Sequence, residues 1–409
     1  MQRREQLKKI RKQDTYGYYE RLSRAREEGI PVVHCSAMGP AEIFYAMGIL
    51  PCFPENYVTI CAAKQQAAHY CEAAEKLGYS MDLCSYSRAG IGMMVEDDGP
   101  LGPMPVPDLV VANTLGCDPW TKWWEIEARH YGVPIYTFDG PYNYDGELRD
   151  SQLRYIARDL ERMVAFLEEH TGRRLEMDKL KETIGYADEA HRLFHEIQEL
   201  RAHVPCPLGL RETAGELFYI VVRSGTREAR DYYALLRDEV IERVERGEGV
   251  VPDEKFRLVY ENIPLWYNLQ LFDYLAGKGA VIAADSYTMM DWQGLWYSGQ
   301  HMDPEKPFES IARKMLFLWN NIGLEKRIND NLKACRSHHI DGVIIFNNRS
   351  CKMYSYGLYD MDRVLEKNGF PTMMFEADMA DPRSFNRAQV ENRIDAFLEL
   401  LAQRKAELR

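Results

Sequence analysis

Long hydrophobic runs are missing from this sequence. No stretch approaches the roughly 18 consecutive apolar residues that span a bilayer, and the start Met1-Gln2-Arg3-Arg4-Glu5-Gln6 leads into charged helix instead of an apolar export segment. The expectation is a cytoplasmic protein with no membrane partner. Basic charge is also scarce: 51 Lys and Arg stand against 63 Asp and Glu, a formal net charge of -12. Such a chain repels phosphate backbones unless basic residues cluster locally, so nucleic acid is not an expected partner. There is no G-x-x-x-x-G-K-[ST] phosphate loop, no clear G-x-G-x-x-G turn, no internal repeat and no low-complexity tract. Nine cysteines, an odd number in a long chain without an export signal, exclude a disulfide framework and predict reduced thiols.

What is present is an ordinary core-forming composition, 46% hydrophobic and 28% charged over 409 residues. That length suits two α/β domains with helical extensions. Residues 1–30 read as an N-terminal helical extension carrying Leu7, Ile10, Tyr16, Tyr19 and Leu22 on the body of the protein. Residues 31–150 read as a first α/β lobe, with buried strand Leu109-Val110-Val111-Ala112, a helix over 120–131 and a strand over 134–138. A helical connection over 151–210 follows, then a second α/β lobe over 211–386 and a C-terminal helix over 387–409. In the second lobe the strands are expected at 280–284, 341–346 and 371–375, with one helix over 353–368 between the last two. Strand, helix, strand implies parallel sheets.

Ligands bind beyond the carboxyl ends of parallel strands, and two cysteines stand there, one per lobe. Cys117 closes the run from Leu109, and Cys351 closes the run from Val343. Cys84 lies in a polar, glycine-bearing turn. The ordinary reading of a free cysteine is a small buried hydrophobe. Three soft thiolates meeting between the lobes would instead suit an iron-sulfur cluster or zinc. Their separations, 33 and 234 residues, match no compact ferredoxin or finger spacing, so the surrounding motifs must decide.

Those motifs are Phe53-Pro54-Glu55-Asn56, Asp82-Leu83-Cys84-Ser85-Tyr86, Met104-Pro105-Val106-Pro107-Asp108, Cys117, Asn348-Arg349-Ser350-Cys351-Lys352 and Ala380-Asp381-Pro382-Arg383. Together they resemble the 2-hydroxyacyl-CoA dehydratase and benzoyl-CoA reductase family along nearly the whole chain. The resemblance implies Rossmann-like or flavodoxin-like parallel-sheet lobes with a [4Fe-4S] cluster between them, held by Cys84, Cys117 and Cys351. No fourth cysteine stands in a comparable motif, which leaves one iron open to water or a substrate oxygen. It also implies an acyl-CoA thioester substrate, a homologous cluster-bearing partner subunit, and an ATP-hydrolysing iron-sulfur activase that supplies a low-potential electron. The absence of a phosphate loop here agrees with ATP hydrolysis on another protein.

Within the family, substrate-binding dehydratase subunits tend to carry serine at the position of Ala37 and glutamate at that of Glu55. Only Glu55 is in register, and neighbouring Ser36 would point the other way in extended chain. Ala89 to Met94, Lys122 to Glu125, Gly279 to Ile282, Ser286-Tyr287-Thr288 and His301-Met302-Asp303-Pro304 resemble the cluster-bearing benzoyl-CoA reductase subunit. Reduction of an aromatic acyl-CoA is therefore the leading expectation, with Glu55 and His301 as candidate proton donors. The alternatives are an (R)-2-hydroxyacyl-CoA dehydratase subunit, a double-cubane reductase of small molecules drawing on Cys35, Cys52, Cys61 or Cys71, and a non-catalytic electron relay. Trp120, Trp123 and Trp124 read as core or interface before pocket wall, and His338-His339 as a solvated helix end.

Overall fold

The computed structural model describes residues 2–407. Two four-stranded parallel sheets form the frame, and each repeats one strand order. In the first, β1 (Val32–Cys35), β2 (Leu50–Cys52), β3 (Leu109–Asn113) and β4 (Ile135–Phe138) lie in the order β2-β1-β3-β4. In the second, β5 (Phe256–Glu261), β6 (Ala280–Asp285), β7 (Gly342–Asn348) and β8 (Thr372–Ala377) lie in the order β6-β5-β7-β8. The inner strands are buried on both faces, as their unbroken apolar runs require, while β4 and β8 at the edges are only partly covered.

Around the first sheet pack α2 (Ala41–Ala46), α3 (Pro54–Ala63), α4 (Ala67–Lys76), α5 (Ser85–Glu96) and α6 (Asp118–Tyr131), preceded by α1 (Gln2–Arg24). Four helices then separate the sheets: α7 (Asp150–Thr171), α8 (Met177–Leu200), α9 (Leu210–Val222) and α10 (Arg227–Arg246). The second sheet carries α11 (Gln270–Gly277), α12 (Gly294–Tyr297), α13 (Pro307–Leu316), α14 (Leu324–Ser337), α15 (Lys352–Ser355), α16 (Leu358–Lys367) and α17 (Arg387–Glu407). Among the described residues no helix is long and apolar enough to cross a membrane.

Three local expectations are corrected. The helix over 353–368 is two helices, because Gly357 adopts φ 72° and turns the chain between α15 and α16. On α1 the buried aromatic pair is Tyr18 and Tyr19, and Tyr16 is 48% exposed. Tyr18, Leu22 and Ala25 continue one helical stripe that Tyr16 lies off. His338 is not solvated: it is fully buried, and its Nε2 lies 3.2 Å from the Gln198 carbonyl. Burial lowers its pKa to about 4, so it is neutral, whereas His339 beside it is exposed. Trp123 and Trp124 are core, stacked at 4.7 Å.

In a sheet of order 2-1-3-4 the chain switches direction between its first and third strands, and the crevice beyond their carboxyl ends is the natural binding place. Ala37 and Cys117 flank that switch point in the first lobe, and Asn262 and Cys351 flank it in the second.

Candidate functional site

Each of Cys84, Cys117 and Cys351 is the residue at which a helix begins: α5, α6 and α15 respectively. The sequence does this locally with Ser-Tyr-Ser after Cys84, Asp-Pro after Cys117 and the sharp exit from β7 before Cys351. Of the nine cysteines only these three keep partial surface, and the other six are buried. Burial of the sulfur itself raises the Cys84 thiol to about 11, Cys351 to about 12 and Cys117 well above its ordinary range. Cys117 is pushed further by Cys84 and Cys351, and Cys351 by Cys84, so the three sulfurs lie within electrostatic reach of one another. Backbone amides at the helix starts oppose this and favour the thiolate: Tyr86 and Ser87 at Cys84, Trp120 at Cys117, Tyr354 at Cys351.

Among the described residues no three His, Cys, Asp or Glu side chains converge tightly enough for a single metal ion. A lone zinc needs its sulfurs about 2.3 Å from one centre. A cluster takes each thiolate on a different iron, so its ligands stand farther apart. Three desolvated thiols in electrostatic reach of one another, each with backbone amides that favour its thiolate, are compatible with such a donor set. The soft donor set is one that an iron-sulfur cluster takes.

The two lobes are clasped beside the sulfurs. The Ser85 amide donates to Ser350 Oγ at 3.1 Å, joining the neighbours of Cys84 and Cys351 across the crevice. Arg88, one turn into α5, is 3% exposed in its side chain and pairs with Glu75 at 2.5 Å and with Asp381 at 3.0 Å. Its Nε also donates to the Leu83 carbonyl at 3.0 Å, so the Cys84 turn is tied directly to the second lobe.

Next to the triad lies a chamber of about 240 Å³ whose lining includes Glu55, Tyr86, Phe218, Trp266, Tyr287 and Trp292. Trp266 Nε1 donates to the Tyr86 hydroxyl, and the Tyr287 ring meets Trp266 edge-on at 5.9 Å. Glu55 is the one carboxyl on this wall that is both buried and half-satisfied. Its Oε1 accepts from the Ala37 amide at 3.2 Å, and its Oε2 has no partner among the described residues. Desolvation raises its pKa to about 8, which keeps it protonated at neutral pH. Tyr287 and Cys117 both lie within electrostatic reach of Glu55, so the carboxyl and the triad share one neighbourhood.

The structure thus brings together Cys84, Cys117, Cys351 and Glu55, and it leaves His301 out. His301 is exposed on the loop between α12 and α13. That loop is fastened instead to α8, where the Met302 amide donates to Asp188 at 2.8 Å, and to α13, where Arg313 donates to the His301 carbonyl at 3.2 Å. Ala37 lines the chamber, whereas Ser36 is fully buried and does not. Cys35, Cys52, Cys61 and Cys71 are sealed, and Cys71 donates to the Ser85 carbonyl at 3.7 Å. The aromatic walls Trp266, Phe218 and Trp292 stand in no motif that the sequence reading uses. Only Tyr86, two residues after Cys84, and Tyr287, in Ser286-Tyr287-Thr288, lie within such motifs.

Two parallel-sheet lobes with a cysteine triad and an acid-bearing aromatic chamber at their shared crevice define a class of small-molecule enzyme subunit. The chain belongs to the family described as 2-hydroxyglutaryl-CoA dehydratase, D-component, whose model matches residues 35–401. It is 30% identical over 406 residues to a subunit of the benzoyl-CoA reductase of Thauera aromatica, covering 95% of this chain and 93% of that one. It is 29% identical over 388 residues to the (R)-phenyllactyl-CoA dehydratase alpha subunit of Clostridium sporogenes, covering 93% and 92%. It is 29% identical over 390 residues to the (R)-2-hydroxyisocaproyl-CoA dehydratase alpha subunit of Clostridioides difficile, covering 95% and 94%. These relatives are subunits of multi-subunit enzymes, and both reaction types are represented at nearly equal similarity.

Proposed function

We propose that this chain is the substrate-binding, [4Fe-4S]-carrying subunit of a cytoplasmic benzoyl-CoA reductase-type enzyme. Cys84, Cys117 and Cys351 would hold the cluster, which when bound supplies single electrons at low potential. A homologous subunit and an ATP-hydrolysing activase complete the system in this reading. The exposed apolar residues Met81, Leu83 and Tyr356 lie close in sequence to Cys84 and Cys351 and would meet a protein partner.

The protein's own residues have three tasks. Tyr86, Trp266, Tyr287, Phe218 and Trp292 bind a flat, neutral acyl group by apolar and ring contact. The same walls exclude water and so suppress hydrolysis and loss of the electron to solvent. Glu55, protonated and with Oε2 free, gives its proton to the reduced acyl group from the chamber wall.

The observation that carries the reductase reading is this neutral, half-satisfied Glu55 on an aromatic wall where Ala37 supplies no hydroxyl. A second reading, dehydration of an (R)-2-hydroxyacyl-CoA, rests on the same Glu55 and on the near-equal similarity to the phenyllactyl enzyme. The sealed N-terminal cysteines argue against a larger cluster that draws on them. Anaerobic assay of the purified complex with its activase on benzoyl-CoA and on (R)-phenyllactyl-CoA tests the choice. Electron-dependent loss of benzoyl-CoA is expected, and enoyl-CoA formation without net reduction would replace this reading with the second. Binding of neither thioester would leave only the relay role.

A further inference from the structure

A second cavity, of about 260 Å³, opens between α1 and the start of α9. In a chain of net charge -12 it is a local exception. Arg4, Lys8, Arg11, Arg211 and Arg243 line it against the carboxylates Glu212, Glu216 and Asp273.

Arg11 is the one side chain that lines both this groove and the aromatic chamber. Gly215 makes that possible. A Cβ there would stand 2.9 Å from Arg11 Nη1, so the missing side chain is the space the guanidinium occupies over α9. Glycine inside a helix costs about 1 kcal/mol against alanine, and the three atoms nearest to such a Cβ all belong to Arg11.

Arg4, Lys8 and Arg211 are 40%, 52% and 45% exposed in their side chains. Their carboxylate partners, Glu212 at 2.9 Å, Glu5 at 2.9 Å and Asp273 at 3.3 Å, form surface pairs of the kind that contributes at most about 1 kcal/mol. Such cations turn readily onto a stronger anion. Along α1 the rise from Arg4 to Thr15 is about 16 Å, and along α9 that from Arg211 to Phe218 is about 10 Å. Those spans are comparable with the extended pantetheine arm of coenzyme A. Thr15, Asn56 and Thr59 offer hydrogen bonds to its amides between the two ends.

We infer that this groove receives the diphosphate and 3′-phosphate at the nucleotide end of an acyl-CoA, while Arg11 guards the passage of the pantetheine arm into the aromatic chamber. The inference rests on the acyl-CoA reading above and adds the site that holds the other end of the substrate. It also gives α1 a binding role beyond covering the core.

Isothermal titration of the anaerobically purified complex with benzoyl-CoA, S-benzoylpantetheine and ATP tests it. The triple variant Arg4→Gln/Lys8→Gln/Arg211→Gln is compared with the native protein and with Lys122→Gln, an exposed control on α6. The triple variant is expected to bind benzoyl-CoA at least about tenfold more weakly, a loss of about 1.4 kcal/mol, and to bind S-benzoylpantetheine unchanged. Native affinity for benzoyl-CoA should also fall with salt more steeply than that for the pantetheine thioester. Unchanged benzoyl-CoA affinity in the variant, with the pantetheine thioester still bound, would overturn the groove and leave the acyl reading standing. Equal loss of both thioesters would overturn it by making the residues structural. ATP bound as tightly as the thioester, and lost in the variant, would reassign the groove to a free nucleotide. Failure of the native complex to bind either thioester would remove the acyl reading and the groove together.

Discussion

The two sheets share a strand order, and their third strands deliver Cys117 and Cys351 at equivalent places, yet the ends of their other strands differ in kind. Beyond β1 and β2 the first lobe presents Ala37 and the protonated Glu55. Beyond β5 and β6 the second lobe presents aromatic surface, Trp266 and Tyr287, and turns its charge inward. Its Glu261 is held by Arg327 and Asn331, and its Asp285 by Arg201 at 2.8 Å. A repeated scaffold thus places a cysteine after the third strand of each half, while the buried acid lies in the first half and the chamber's aromatic residues come from both halves and from α9. Strand-end position explains where those two cysteines stand, and lobe-specific burial explains what lies beside them.

The sharpest break of that comparison is Glu55→Gln against Tyr287→Phe. Removing the only chamber acid should cost turnover about a hundredfold or more with iron content unchanged, whereas loss of the Tyr287 hydroxyl should cost less than about tenfold. Comparable losses would show that the halves share the proton task. Activity should also hold below and fall above pH 8 or so as Glu55 ionises, and the Gln variant should lack that limb. The same proton has a stability consequence. The native state retains it while the unfolded chain releases it near 4.5, so stability declines from there up to about pH 8. Thermal melts of Glu55→Gln across that window should lose this slope.

The next effect separates two buried arginines. Arg88→Met leaves Glu75 and Asp381 at the lobe boundary to Arg383 alone, and Arg201→Met leaves Asp285 inside the second lobe without a cation among the described residues. Arg201→Met should lose about 3–5 kcal/mol in denaturant unfolding, since a buried carboxylate is left without its cation, and Arg88→Met should lose less, since Arg383 still pairs with both of its carboxylates. Of the two, only Arg88→Met should also speed the release of iron, because Arg88 is the arginine that ties the Cys84 turn to the second lobe. Equal iron release from both would make the clasp incidental. The smallest effect is expected for Ala37→Ser, which adds a hydroxyl to the chamber: benzoyl-CoA binding should change by less than about 1.5 kcal/mol, read by titration.

Much of this was legible in the chain. Continuous apolar runs marked β3, β6, β7 and β8, and the two strand-end cysteines followed from parallel-sheet geometry alone. Cys84 needed the family resemblance, since it follows no strand, and Glu55 was singled out by its motif although it lies just beyond β2. The aromatic walls were mostly hidden because they come from α5, α9 and two irregular turns after β5 and β6, with no shared period. Arg88 and Asp381 are 293 residues apart, and no local pattern announces such a pair. His301 lies outside the chamber because its motif is held by Asp188 on α8 and Arg313 on α13.

The central claim is that three distant sulfurs form one cluster site. Iron per chain, measured on anaerobically purified Cys84→Ser, Cys117→Ser, Cys351→Ser and Cys206→Ser, tests it most directly. Cys206 is buried and donates to the Leu208 carbonyl at 3.3 Å, so its replacement should keep the iron that each of the other three loses. Equal iron in all four variants would contradict the account.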